Sequence, residues 1–588
     1  MKRKGAEDFT SACSDPMPKS RQKKFDRLPT APPFDALVIG GGINGISTYR
    51  ELALQGLKVL LVERNDFCSG CSSAPSRMIH GGLRYLENGE FHLVRESLHE
   101  RDALLTNAPH LVMPLPTTVP IKSIFSGIMN GLMGFVTKRG RPSSRGVLVV
   151  KAGLMLYDIF TRNRRLLPKH VFLNRKETLA RWPRLNPALR FSATYHDAWI
   201  SHPERLGIEI LKDCEQLDAT AFNYAHVTRD GDSFTVEDLL TGKTYPIMAK
   251  TIVNATGAWL DATNRDLLQQ GSKPKRFVEG TKGSHLIVAN RQLSEALDGH
   301  MIYFENSDRR VCIMFPYLGN VLLGSTDLRV DSAGPVRCEN EEIEYILTSL
   351  AEVFPDIKVT PDQIVYTYSG IRPLPQSDAG FTGRISRDHF THRIAGRPPV
   401  FCMVGGKWTT FRAFGEQTCD LVLAELKQSR TVATSTMPIG GGKDFPANQD
   451  GQEKLVAMLC ENFGIDTKRA WHAVSHYGTT ARTILEYCAQ SVDDRQIALG
   501  SPYSEAEIRY LVRTEYAQSP ADILLRRTSI GITGGISTTA IETVIAIMAL
   551  ELGWDDGVIA SQKANFITYL EEHHRVSAAM LDARNRRQ

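Results

Sequence analysis

The chain has 588 residues, 42% of them hydrophobic and 23% charged, which is enough apolar material for a sizeable core and argues against overall disorder. Its net charge of +5 is mild for this size and does not point to a nucleic-acid partner. The longest uncharged apolar stretch, between Lys122 and Lys138, holds 15 residues; a spanning helix needs roughly 20, so a transmembrane protein is not expected, whereas one that lies on a membrane fits.

Residues 1–33 read as a disordered tail, with five prolines, eight Lys/Arg and four Asp/Glu and no apolar periodicity. They contain no apolar signal-peptide core. Their basic, Ser-containing character hints at organelle import, while Glu7, Asp8 and Asp15 argue against an acid-poor transit peptide. Order is expected from Phe34. Ala36-Leu37-Val38-Ile39 is a short apolar run ending in glycine and predicts a buried strand. A helical pattern over Ile46–Gln55 follows, stopped by Gly56, and Lys58–Glu63 predicts a second strand. This is a βαβ unit of the usual length, about 30 residues.

Phe191–Gly257 is strand-like with turn punctuation, closing on Thr251-Ile252-Val253-Asn254-Ala255-Thr256-Gly257. Residues 280–330 alternate apolar and polar, as a half-buried antiparallel sheet would. Past about residue 440 the pattern becomes helical, and 441–588 is expected to form a separate, mostly helical domain. Ten cysteines are scattered without pattern, as free thiols in a reducing compartment would be. Cys68-Ser69-Gly70-Cys71 is a lone C-x-x-C without the second pair a zinc site wants, and no EF-hand loop occurs, so no metal is expected.

The strongest local signal is G-x-G-x-x-G at Gly40, Gly42 and Gly45, between the two strands, with Glu63 eighteen residues on. The first glycine makes the tight turn, the second lets backbone N–H groups approach a pyrophosphate, and the third lets helix and strand pack. The phosphates then lie on the helix N-terminus, and Glu63 accepts from ribose hydroxyls. With both strands, the helix and the acid in place, a dinucleotide is expected.

Ser72-Ser73 and Ser76-Arg77-Met78-Ile79-His80-Gly81-Gly82-Leu83-Arg84-Tyr85-Leu86-Glu87 resemble the FAD-dependent glycerol-3-phosphate dehydrogenase family, among the amine-oxidase-like flavoproteins. The resemblance continues through Asn254–Gly257, Lys282–His285, Gly324–Asp327, Tyr368–Leu374 and Gly405–Arg412, in order, from about residue 34 to 425, and more loosely through Glu515–Thr528. It implies an α/β fold: an FAD-binding, Rossmann-like domain of the glutathione-reductase type, interleaved over 34–425 with an antiparallel-sheet substrate domain (about 265–360), then the helical C-terminal domain. It implies FAD as cofactor, held at the ADP end by Gly40, Gly42, Asn44, Gly45 and Glu63. Ser72, Ser73, Arg77 and His80 would run along pyrophosphate and flavin, and Gly257, Gly406, Lys407 and Thr409 would close the far side. Cys71 departs from the threonine common in the family, leaving one pyrophosphate hydroxyl in question.

The reaction so implied is oxidation of sn-glycerol 3-phosphate to dihydroxyacetone phosphate. A dianionic phosphate ester needs several cationic donors, and Arg84, Arg372, Arg387 and Lys407 are the candidates, with Tyr85 able to bond substrate oxygen or simply to pack. Arg372 lies in an apolar run, where a charge is rarely buried without a partner; it would also hold the developing alkoxide or carbonyl oxygen. Removal of the hydroxyl proton suits a histidine. His285 is the first candidate and His80 the second; the competing reading of either is a histidine bonded to flavin or backbone.

Residues 123–136 are apolar with small residues, flanked by Lys122 and by Lys138, Arg139, Arg141 and Arg145. This suits an interfacial segment on anionic lipid, or else a core helix with a solvated basic end. The family resemblance implies a peripheral membrane enzyme that passes electrons to quinone, with the mitochondrial inner membrane as the expected address and a homodimer compatible. Alternatives are an oxidase using oxygen, a different substrate such as a 2-hydroxy acid or amino acid, and a FAD-fold binding protein without catalysis.

Overall fold

The computed structural model describes residues 17–82, 90–122, 153–155, 157–158, 166–231, 233–268, 276–377 and 387–586. Arg84, Tyr85 and the whole apolar segment 123–136 with its basic flank lie outside the described residues.

The stretch read as a tail is not one from Met17 onward. Met17–Asp26 is a helix, α1. Its Phe25 is fully buried, stacked 3.9 Å from the Phe222 ring and 5.1 Å from Tyr245. Arg21 donates to the Asn223 carbonyl and to Asp238. The prolines and charges that suggested disorder flank a short amphipathic turn whose single aromatic anchor supplies the burial.

Ala36–Ile39 (β1), Ile43–Leu54 (α2) and Val59–Val62 (β2) form the expected βαβ unit. Gly56, at φ 79°, adopts the left-handed conformation that ends α2. β1 lies between β2 and Ile252–Asn254, parallel to both. The six-stranded sheet runs His389–Ile394, Val400–Gly405, Ile252–Asn254, β1, β2, Ala219–Phe222, with only the first strand antiparallel. Strands buried on both faces need continuous apolar sequence, which Ala36–Ile39 and Val59–Val62 have. One face packs under α2 and the helices Pro203–Asp213 and Phe411–Glu425; the other packs on α1 and a three-stranded antiparallel sheet.

The second large sheet has ten strands. Toward one end, Val278–Val288 is paired antiparallel with Asn320–Gly324, Leu328–Val330 and Ile364–Pro375. The sheet also takes in Met78–Ile79, Val112–Ile121, Val171–Asn174 and Phe191–Ile200. The sheet therefore draws on more of the chain than the 265–360 assigned to it by pattern. Val278–Val288 was expected to be half-buried; from Thr281 on it is buried on both faces, because the C-terminal helices cover one side.

Those helices, from Gln449–Phe463 to Ala578–Asn585, are bounded by local signals: Asp466, Ser537, Asp555 and Ser577 cap N-termini, and Gly464 and Gly553 end helices. They do not stand apart from the sheet. Leu511, Ile541 and Phe566 share one apolar cluster with Ile287, Phe315, Tyr317 and Tyr368. A buried ionic joint also ties them to the dinucleotide half: Asp66 accepts from Arg526 at 2.5 Å and from Arg527 at 2.7 Å, and Arg205 donates to Glu515 at 2.6 Å.

Candidate active site

The β1–α2 turn is built around missing side chains. A Cβ on Gly45 would fall on the Gly40 carbonyl oxygen, whereas one on Gly42 would meet only Ser72 Oγ, at 3.3 Å, within 4 Å. Gly45 is thus required for packing, and Gly42 faces open space. Gly42 is the N-cap of α2 and offers no capping side chain, leaving the helix N-terminus open to an anion; Ile43 N–H reaches Ser72 Oγ at 3.0 Å. Glu63 accepts from Gly41 N–H at 2.6 Å and from Asn65 N–H at 2.8 Å. Burial raises its pKa, with those backbone bonds opposing the rise. Asn44 Oδ1 is buried without a partner among the described residues. An open helix end, a vacant Cβ position and an orphaned buried acceptor at this turn fit a dinucleotide such as FAD, with Gly40, Gly42, Asn44, Gly45 and Glu63 placed to meet its ADP half and Ser72 beside the helix end.

A cavity of about 300 Å³ lies between the 71–82 segment, the 406–409 segment and the large sheet. Its wall carries His80, Arg372, Arg387, Gly406, Lys407 and Thr409, all expected at the site. Thr409 Oγ1 accepts from His80 N–H at 3.2 Å, and Trp408 Nε1 donates to the Ser72 carbonyl at 3.1 Å; these bonds join the 405–412 motif to the 72–80 motif. Gly257, at φ 59°, lies just beyond, with Pro373 as its nearest neighbour.

Arg372 crosses the sheet at Gly283, where any Cβ would fall inside the guanidinium. It donates to Ser325 Oγ at 3.2 Å and to the Thr326 carbonyl and Asp327 at 3.3 Å each. The other oxygen of Asp327 lies 3.7 Å from Arg387. One carboxylate therefore holds two arginines side by side on the cavity wall, leaving a net positive charge there. Lys407 donates to Ser97 Oγ at 2.6 Å. Burial pulls its pKa down to about 7, against the pull of Glu96, Asp388 and Glu90. The His80 ring is held at about 3 by burial, then by Lys407 and Arg387, and is neutral at physiological pH.

Three expected residues are placed otherwise. Arg77 is buried and forms an ion pair with Glu204 at 3.1 Å, beside the Tyr317 and Tyr368 rings. Its charge is committed to that pair, and it does not line the cavity. Ser73 Oγ donates to the Gly70 carbonyl at 2.9 Å and serves the local turn. His285, the first candidate for the base, is fully buried and is absent from the cavity wall. It lies behind Ser76, whose Oγ is 2.8 Å from Nε2.

Asp327, Ser76, Tyr195, Tyr303 and Arg310 also line the cavity and were given no role from the sequence. Asp327 had a usable signal, since two cations in one site call for a counter-charge. Arg310 follows the turn between Met301–Glu305 and Val311–Tyr317, where Asn306 Oδ1 accepts from Asp308 and Arg310 N–H groups. Nothing in its sequence neighbourhood announces a cavity.

Comparison with known proteins gives the same fold. The family described as FAD dependent oxidoreductase matches residues 35–421, and the C-terminal domain of alpha-glycerophosphate oxidase matches residues 432–558. A Synechocystis protein named glycerol-3-phosphate dehydrogenase is 33% identical, over 92% of this chain and 97% of that protein. A Brucella abortus protein named D-erythritol 1-phosphate dehydrogenase is 31% identical, over 84% of this chain and 94% of that protein. The structure of a glycerol-3-phosphate dehydrogenase from Bacillus halodurans complexed with FAD superposes with a TM-score of 0.72 over 94% of this chain and 98% of that one, at 24% identity.

Proposed function

The chain belongs to the FAD-dependent oxidoreductase family, among the glycerol-3-phosphate dehydrogenases, and on that premise we propose that it oxidises sn-glycerol 3-phosphate to dihydroxyacetone phosphate and delivers the electrons to quinone. FAD is the cofactor, and when bound it supplies the hydride acceptor. The observation that carries the substrate is the pair of arginines, Arg372 and Arg387, held by Asp327 in the same cavity wall as Lys407. Planar, bidentate donors suit a phosphate dianion.

The substrate phosphate binds to Arg387 and Lys407, with Arg372 nearer the reacting carbon. His80 is the candidate histidine that faces the cavity, and it takes the hydroxyl proton. Burial is the main cause of its low pKa, and Lys407 and Arg387 lower it further; a bound dianion offsets those two cations, so substrate binding raises the basicity of His80 in part. Arg372 then faces the oxygen on which charge develops.

Anaerobic titration of the purified yellow protein with glycerol 3-phosphate tests this reading. Bleaching near one equivalent is expected. D-Erythritol 1-phosphate is the natural second arm, given the 31%-identical relative of that name; bleaching by it alone would move the substrate to a four-carbon phosphate. No bleaching by either sinks the proposal.

Among the described residues no helix is long and apolar enough to cross a membrane. We place the docking surface at residues 123–136 and the basic residues that follow, where each cation adds about 1 kcal/mol near an anionic surface. Reversing Lys138, Arg139 and Arg141 to Glu should lower binding to anionic vesicles and quinone reduction together, with dye reduction retained. Unchanged vesicle pelleting would remove this segment from membrane contact. Rapid oxygen consumption with stoichiometric peroxide, in place of quinone reduction, would make the protein an oxidase.

A further inference from the structure

His285 has two ring nitrogens and one hydrogen bond. Nε2 meets Ser76 Oγ at 2.8 Å; Nδ1 is buried without a partner among the described residues. The ring is closely packed on both sides. It stacks on Tyr368 at 4.8 Å and 12°, and on its other edge a Cβ at Gly324 would overlap it. Tyr368 is itself tied down, its hydroxyl donating to the Pro75 carbonyl at 3.0 Å.

The tautomer follows from counting. If Nδ1 carried the proton, a buried N–H would be left with nothing to donate to. If Nε2 carries it, Nδ1 keeps only an unmet lone pair. Buried orphan N–H groups are the rarer and costlier case. The ring is also neutral: burial lowers its pKa well below 6.5, and Arg372 and Arg77 lower it further. Nε2–H therefore donates to Ser76 Oγ. Ser76 must then turn its own O–H elsewhere, and Ser76 lines the cavity.

We propose that His285 is a positioning residue that fixes Ser76 as a hydrogen-bond donor into the cavity, and that Ser76 is a catalytic residue whose hydroxyl bonds the substrate oxygen as it loses its proton. This rests on the alcohol-oxidising reading above and replaces the assignment of His285 as base. No covalent step is added. The hydroxyl proton would go to His80 and the hydride from carbon to the FAD acceptor named above, with Ser76 holding the oxygen as the carbonyl forms.

Two measurements separate this proposal from the reading beneath it. The first uses no substrate: ¹⁵N shifts of histidine-labelled holoenzyme, with His285 assigned by the loss of its signal in His285→Asn. A neutral Nε2–H tautomer near pH 7 is expected; an Nδ1–H tautomer or an imidazolium overturns the proposal whatever the substrate proves to be. The second is rapid-reaction flavin reduction by glycerol 3-phosphate. Ser76→Ala should slow reduction on the order of 10²-fold, the loss typical of one donor to a developing oxyanion, with flavin content near normal. His285→Leu should lose a similar factor, and the double variant should lose no more than Ser76→Ala alone. His285→Asn, which keeps an N–H donor, should recover much of the rate and leave the acid limb of the pH profile in place. Multiplying losses in the double variant, or disappearance of the acid limb in His285→Asn, would return His285 to the role of base. If His285→Leu does not fold, Ser76→Ala with a wild-type rate overturns the proposal unaided.

Discussion

Gly45 and Gly40 are packed so tightly that a single added carbon on the first would occupy the carbonyl oxygen of the second. Gly42, between them, has no such neighbour. The two glycines should therefore fail differently. Gly45→Val should abolish soluble protein, because helix and strand are forced apart. Gly42→Val should fold with near-normal stability and emerge colourless. Circular dichroism and flavin absorbance on the two variants make the check, and a yellow Gly42→Val protein would contradict the placement of the dinucleotide.

Arg372 lies on the cavity wall and is held by Asp327. Arg372→Ala should lose about 2–4 kcal/mol of transition-state stabilisation, read from kcat/KM, with FAD content unchanged. Arg372→Lys should recover only part, because a point charge cannot reproduce both the Ser325 and the Asp327 bonds. A wild-type kcat/KM in the Ala variant would make the residue structural.

Lys407 has a pKa near 7, so in the proposed phosphate role it should make substrate binding sensitive to pH. Below about 7 its ammonium is charged and attracts the dianion; above, it is neutral and the attraction fades. In the free enzyme kcat/KM for glycerol 3-phosphate should accordingly fall on the alkaline side of neutrality. Lys407→Arg, charged throughout, should flatten that limb. An unaltered alkaline limb in this variant would assign the ionisation to another group.

The Arg77–Glu204 pair is buried on both sides. Arg77→Met strands a carboxylate in the interior, which costs about 3–5 kcal/mol when a buried pair is broken. A fall in thermal midpoint is expected, with flavin retained by whatever remains folded. The double variant Arg77→Met/Glu204→Gln should regain much of the loss. Selective loss of flavin without loss of stability would restore Arg77 to the cofactor's shell.

What the sequence made legible was what depends on neighbours in the chain. The β1–α2–β2 unit follows from spacing within about 30 residues, and each glycine in it does a task that backbone geometry demands. His80, Arg372, Gly406, Lys407 and Thr409, carried by the 72–80, 368–374 and 405–412 motifs, also met at one cavity. The placements that failed depend on distant parts of the chain. Arg77 is claimed by a residue 127 positions away. His285 belongs to a strand buried on both faces, so alternation offers no parity by which to tell cavity side from core side. Arg310 reaches the site from a hairpin turn whose position is set by the sheet it closes. Phe25 looked like part of a tail because its partners, Phe222 and Tyr245, lie about two hundred residues further on.

The joint between Asp66 and Arg527 closes a loop of 461 residues. Asp66 stands three positions after Glu63, in the segment that follows β2. A ribosome releases the dinucleotide-binding strands early, yet their buried carboxylate has no counter-charge until the last eighth of the chain emerges. Until then the nascent protein carries an uncompensated interior charge and a sheet face, around Phe315 and Tyr317, with nothing to cover it. Chains truncated before Arg526 and Arg527 should therefore leave Asp66 without its counter-charge and the sheet face around Phe315 and Tyr317 uncovered, and are expected to lose stability.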